Sequence, residues 1–139
     1  MLKTFKVTMA SAMLCLSAFS YSQVVVVVNP ANDASIDAKT VQRIFLGKEK
    51  KFSNGNAAIP INQTADNSVR AQFDESIVGR SSSQVSAYWS KLVFTGKGVP
   101  PEELSGDAAV IEAIANNPNA IGYVDAASVT DAVKTIPVN

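Results

Sequence analysis

Five consecutive residues in the middle of the chain have side-chain types that suit anion binding. They are Asp66, Asn67, Ser68, Val69 and Arg70. They follow a short apolar run that begins at Ile59, which indicates a strand that ends in a polar loop and leads into a helix. The N–H groups and the dipole of a helix N-terminus attract an oxyanion, and an arginine one turn further on adds positive charge. We therefore expect the N–H groups of residues 67–69 to donate to an anion, and Asp66 to accept from a protonated oxygen of that anion.

The same residues also fit an ordinary structural role. Asp66 is a common type of N-cap residue, because its carboxylate accepts hydrogen bonds from the first turn of a helix. Arg70 precedes Asp74 by four residues, a spacing that allows a surface ion pair on a helix. Helix capping and anion binding both remain open on this evidence.

The first 22 residues have the pattern of a secretory signal peptide. Lys3 and Lys6 precede an apolar run, Val7–Phe19, that is too short to cross a bilayer, and small residues lead up to Ser22. We predict cleavage near Ser22, a periplasmic location and no membrane insertion after cleavage. The mature protein would then be a single domain that begins at Gln23.

The composition of the predicted mature chain excludes several function classes. It has no histidine, and the single cysteine, Cys15, lies in the leader. A histidine-dependent triad, a thiolate nucleophile and most zinc sites are therefore excluded. Glu102 and Glu103 are adjacent and are predicted to lie in a solvated loop. We expect no catalytic residues, no metal and no cofactor, and hence no enzyme.

The charge of this part of the chain argues against a nucleic-acid or membrane partner. Without Lys3 and Lys6, 10 basic residues stand against 12 acidic ones, a formal charge of −2. No basic stripe interleaved with aromatic residues is present.

Strand-like and helix-like segments alternate along the mature chain. Val24–Val28 predicts a buried strand. Further strands are predicted over Ala57–Asn62 and Ile121–Val124, with an edge strand or tail over Lys134–Val138. Four helices are predicted, and they begin at Ser35 or Asp37, at Asp66, at a Ser81–Gln84 capping box and at Asp107. A last helical turn is predicted after Asp125. The third of these helices should bury Val85, Trp89, Leu92 and Val93. This alternation predicts an α/β fold with a mixed or parallel sheet flanked by helices.

Several phrases together resemble the periplasmic substrate-binding proteins of phosphate ABC transporters. The phrases are VNP at 28–30, IFLGK at 44–48, the pattern Gln63, Ser68, Arg70 and Phe73, YWSKLVFTGKGVPP at 88–101, and AIGYVD at 120–125. The resemblance implies a single small lobe of the type 2 periplasmic-binding-protein fold over residues 23–139. It also implies phosphate or a related oxyanion as ligand. Asp66 and Ser68 match the anion-binding loop of that family, whereas Thr64 stands where the family has an arginine.

The resemblance also implies partners. An ABC permease or an envelope sensor would receive the loaded protein, and a second copy of the chain would cover a site that a single lobe leaves open. The alternative is a ligand-free adaptor of the cell envelope that kept the lobe and lost the ligand. Composition and spacing do not separate these two hypotheses.

Overall fold

Five strands and four α-helices alternate along the part of the chain that is described. A computed structural model describes residues 23–138, so the predicted signal peptide lies outside the described residues. The strands are β1 Val24–Val28, β2 Ile59–Gln63, β3 Glu102–Leu104, β4 Ala120–Asp125 and β5 Lys134–Ile136. The helices are α1 Ala38–Phe45, α2 Ser68–Phe73, α3 Ser82–Phe94 and α4 Asp107–Ala115. A π-helical turn, Asp74–Val78, continues α2, and a 3₁₀ turn, Ala126–Ser128, follows β4.

The strands form one mixed sheet in the order β3-β2-β4-β1-β5. Strand β2 is parallel to both β3 and β4, whereas β1 is antiparallel to both β4 and β5. The predicted α/β fold with a mixed sheet and flanking helices is therefore confirmed. Because β2, β3 and β4 are parallel, their carboxyl ends lie at the same edge of the sheet, which we call the carboxyl edge.

Helices cover both faces of the sheet, because successive strand side chains point to opposite faces. On one face, Val26, Val28 and Tyr123 pack with buried residues of α1, α2 and α3. On the other face, Val27 and Val124 pack with α4. The result is a three-layer arrangement whose β2–α2 connection emerges at the carboxyl edge.

Local sequence signals account for most element boundaries. Asp37 caps α1, since its Oδ1 accepts from the Thr40 N–H at 2.8 Å. The predicted capping box of α3 is confirmed, with reciprocal hydrogen bonds between Ser81 and Gln84. The prediction of a loop at the two glutamates was wrong, because they begin β3.

The end of α3 departs from its predicted burial. Val93 was expected in the core but is 52% exposed, and the next residue, Phe94, is 92% exposed. The buried positions of α3 are Val85 and Trp89, so the core contact covers the first two turns of the helix. Among residues 23–138, none of the helices has the length and apolarity needed to cross a bilayer.

Candidate anion-binding site

The β2–α2 junction lies at the carboxyl edge, where the sequence places the anion-binding residues. Asn67, and not Asp66, is the N-cap of α2, and its Oδ1 accepts from the Val69 N–H at 2.9 Å. Asp66 lies in the preceding turn and is exposed. The capping interpretation is therefore correct in kind but was assigned to the wrong residue.

The chain itself uses most of the N–H groups that were expected to bind an anion. The Asn67 N–H donates to the Thr64 carbonyl at 3.0 Å, and the Val69 N–H donates to the Asn67 cap. The Arg70 N–H donates to the Asn67 carbonyl at 3.1 Å. Ser68 is exposed at the start of a helix of six residues. The junction therefore does not present a row of free donors.

The carboxyl edge already contains an anion, which belongs to the protein. One oxygen of Asp107 accepts from Gln63 Nε2 at 2.8 Å. Its other oxygen accepts from Ser128 Oγ at 2.6 Å and from the Asp125 N–H at 3.2 Å. Asn67 Nδ2 extends the network by donating to Gln63 Oε1 at 2.7 Å. Gln63 thus links the N-cap of α2 to Asp107 at the start of α4.

Arg70 belongs to α2 and lies on the face of the sheet that also carries α3. The residue is buried, with only 3% of its surface exposed. Nη1 donates to Glu103 Oε1 at 2.7 Å and to the Gln63 carbonyl at 3.1 Å, and Nε lies 3.4 Å from Asp74 Oδ2. The predicted pair between Arg70 and Asp74 is confirmed, but it is buried, so the expectation of a surface pair was wrong. Glu103 joins it from β3, which the sequence did not predict.

The two carboxylates around Arg70 differ in environment. Asp74 is 1% exposed and also accepts from Ser82 Oγ at 2.7 Å, whereas the side chain of Glu103 is 49% exposed. Burial raises the pKa of Asp74, against the hydrogen bond from Ser82 and the charge of Arg70. Burial acts to lower the pKa of Arg70, but the hydrogen bond to Glu103 and the charge of Asp74 outweigh it and raise that pKa. Arg70 therefore remains a cation.

A buried phenol fixes the amide of Asn62 beside this guanidinium. The Tyr123 hydroxyl donates to Asn62 Oδ1, which also accepts from the Gln63 N–H at 2.9 Å. Burial raises the pKa of Tyr123, so the phenol stays neutral. The Phe73 ring stacks on Tyr123 with centroids 3.8 Å apart, which holds the phenol in place. Two donors thus bind the amide oxygen, which leaves Nδ2 as the end of this side chain that can donate.

A cavity of about 470 Å³ opens beside Arg70. We call it the Arg70 cavity. Its polar lining includes Asn62, Arg70 and Glu103, and α3 contributes Trp89. The remaining lining residues are Ser86, Ser90, Val93, Phe94, Pro100 and Pro101. Of the five predicted site residues, only Arg70 lines this cavity. Sequence reasoning missed Asn62 and Glu103 because strand register, rather than local spacing, brings them to the arginine. In the described part of the chain, no group of three His, Cys, Asp or Glu side chains is placed to bind a metal.

Comparison with solved structures identifies the fold. An ABC-type phosphate transport receptor from Vibrio cholerae matches with a TM-score of 0.64 and 18% identity over 83% of this chain and 45% of that one. A putative phosphate ABC transporter substrate-binding protein from Clostridium perfringens, solved with bound phosphate, matches with a TM-score of 0.66 and 19% identity. This match covers 83% of this chain and 44% of that one. PstS from Borrelia burgdorferi matches with a TM-score of 0.63 and 12% identity, over 84% of this chain and 47% of that one.

This chain has the fold of a periplasmic-binding-protein lobe. It spans less than half the length of each of these three structures. No protein-family model matches the sequence, and no curated protein matches it. At these identities the similarity shows the fold and not the ligand.

Proposed function

We propose that this protein is a secreted binding module for phosphate or a related oxyanion, and that Arg70 supplies the charge that holds the anion. The observation that carries the proposal is a guanidinium that is fixed in the core and yet lines an open cavity. Phosphate and guanidinium have matching geometry for paired hydrogen bonds. Asn62 lines the same cavity, and its amide can add a neutral donor. The fold neighbours, one of them solved with bound phosphate, support this choice of ligand.

Glu103 occupies the place that the anion would take. Its carboxylate is 2.7 Å from Arg70 Nη1, but half of its side chain is in solvent. Because its carboxylate is half in solvent, Glu103 can turn into water and be hydrated there when an anion replaces it. We therefore propose that the incoming anion replaces Glu103 on the guanidinium, while the buried Asp74 stays in place.

The charges around Arg70 predict weak binding. Two carboxylates surround a single cation, so a second anion gains less than it would at an unpaired arginine. The cavity is also open to water, which screens the interaction. Removal of the Glu103 charge should consequently strengthen phosphate binding.

Thermal unfolding in phosphate tests the proposal with a matched pair of variants. A ligand that binds the native state raises Tm by mass action. Glu103→Gln should increase the phosphate-induced rise in Tm, whereas the adjacent Glu102→Gln, which leaves Arg70 untouched, should not. A rise that is the same in both variants and in the wild type would contradict the role of Arg70. Sulfate at equal ionic strength controls for general salt effects.

The β2–α2 junction is the other place where the same anion could bind. There the anion would contact the Ser68 hydroxyl and N–H, with Asp66 accepting from a protonated oxygen. Ser68→Ala should leave the phosphate response unchanged if the ion binds in the Arg70 cavity. Loss of the response in that variant would move the site to the junction.

The resemblance and the fold suggest a role in phosphate transport or sensing. We propose that the protein acts in the periplasm, with an ABC permease or an envelope sensor as partner. A homodimer would close the open side of the cavity, and sedimentation of the purified protein with and without phosphate tests that arrangement.

A ligand-free adaptor is a second candidate, and one observation favours it. Phe94 and Val99 are 92% and 87% exposed, and apolar side chains this exposed often mark contact surfaces. An adaptor would show no response to phosphate in any variant, and its partner would be lost on Phe94→Ser. A clear phosphate response would count against this candidate.

A further inference from the structure

We infer that the ligand of the Arg70 cavity is an oxyanion that carries an apolar group, such as a phosphate monoester, rather than inorganic phosphate alone. This inference rests on the proposed function, because it places the anion on Arg70. It adds the chemical class of the rest of the ligand. The size of the cavity and the apolar part of its lining point to this class.

The cavity is much larger than a tetrahedral ion. Its volume of about 470 Å³ lies within the range of roughly 300–1,000 Å³ that is typical of sites for small organic molecules. The polar part of the lining includes Arg70 of α2, Asn62 of β2 and Glu103 of β3, and the cavity also has apolar walls. These walls are formed by Val93, Phe94, Pro100 and Pro101. An ion bound at the guanidinium would leave this apolar space to water.

Trp89 has a buried donor that the protein does not use. The residue is 7% exposed, and its Nε1 has no hydrogen-bond partner within the described chain. A buried N–H without an acceptor costs about 1–3 kcal/mol, so such groups usually have a partner. Because this Nε1 has no surface open to the cavity, Trp89 contributes ring contact to the lining and not a hydrogen bond.

Two hydroxyls complete the polar part of the wall. Ser86 and Ser90 are four residues apart on α3, so they share one face of the helix, and both line the cavity. They can donate to an ester oxygen or to a further oxyanion oxygen. The cavity thus offers a cation, neutral hydroxyl donors and apolar contact. A phosphate monoester with a ring-sized substituent matches all three.

Phenyl phosphate and inorganic phosphate distinguish the two ligand classes. Trp89 is the only tryptophan, so its fluorescence reports on the cavity directly. We expect phenyl phosphate to change this emission and to bind roughly tenfold or more tightly than inorganic phosphate, because the ring removes apolar surface from water. Benzyl alcohol, which has the ring without the anion, should bind much more weakly than either.

One pair of variants tests the walls. Val93→Ser, at a half-exposed position, should reduce the preference for phenyl phosphate several-fold as measured by calorimetry, whereas Val99→Ser, outside the cavity lining, should not. Tm measured alongside shows that each variant is folded.

Each outcome separates this inference from the proposed function. Equal affinities for the two phosphates would overturn the inference and leave phosphate binding standing. Binding of benzyl alcohol as tight as that of phenyl phosphate would also overturn it, since the anion would then play no part. If neither phosphate binds, both proposals fail.

Discussion

Replacement of Arg70 by methionine tests the buried cluster in isolation from any ligand. Methionine keeps the apolar stem of the arginine but leaves Asp74, 1% exposed, without its cation. Removal of one partner of a buried ion pair costs about 3–5 kcal/mol. Ser82 still donates to Asp74, so we expect the lower end, about 3 kcal/mol. For a domain of this size that is a fall in Tm of roughly 12 °C.

The assay is urea unfolding followed by circular dichroism, with the double variant Arg70→Met/Asp74→Leu and the surface control Arg43→Met. The double variant should recover most of the loss, because replacing both members of a buried pair with apolar groups is often neutral. Arg43 is exposed, so its variant should stay within about 0.5 kcal/mol of wild type. A loss below 1 kcal/mol for Arg70→Met, or a double variant that is no better, would refute the buried pairing.

Three further predictions concern Asp74, Gly122 and Ser81. Because burial raises the pKa of Asp74, the native state binds its proton more tightly than the unfolded state, so stability should fall as pH rises above about 3.8. Asp74→Asn should remove this decline, and an identical pH profile of Tm for variant and wild type would show that Asp74 does not cause it. Gly122→Val should lower the free energy of unfolding by about 1–3 kcal/mol, because even a Cβ at this position would lie 2.9 Å from Val110 Cγ1. Urea unfolding measures the loss, and an unchanged midpoint would mean that α4 can move away. Ser81→Ala removes the cap of α3 and should cost about 1 kcal/mol, whereas Ser83→Ala, outside the capping box, should cost less; equal losses would contradict the capping role.

The elements that the sequence predicts best are those with strong local signals. Five valines specify β1, and the capping box at Ser81 specifies the start of α3. Strand β3 was missed because its residues, Glu102–Leu104, have neither a β-branched run nor alternation. Pairing with β2 makes it a strand, and that pairing is a long-range contact.

The candidate site shows the same limit. Four-residue spacing predicts the contact between Arg70 and Asp74, but nothing local indicates that the pair is buried. Glu103 is 33 residues away along the chain, and it reaches Arg70 because β3 lies beside β2. The cap was assigned to Asp66 instead of Asn67 because both residue types cap helices, so type alone did not decide between neighbours.

The predicted row of donors is not free because neighbouring oxygens of the same junction accept from it. The Asn67 N–H donates to the Thr64 carbonyl, and the Val69 N–H donates to Asn67 Oδ1. The guanidinium of Arg70 is the nearby positive group that faces a cavity instead. For this reason we place the proposed anion in the Arg70 cavity and not at the start of α2.

The most direct test of the central claim is a phosphate titration followed by NMR of the side-chain N–H groups. If the anion binds in the Arg70 cavity, the Nε–H signal of Arg70 and the Nδ2 signals of Asn62 should shift together and saturate, with little change at the Ser68 amide. Shifts confined to Ser68, or no saturable shift at Arg70, would contradict the account.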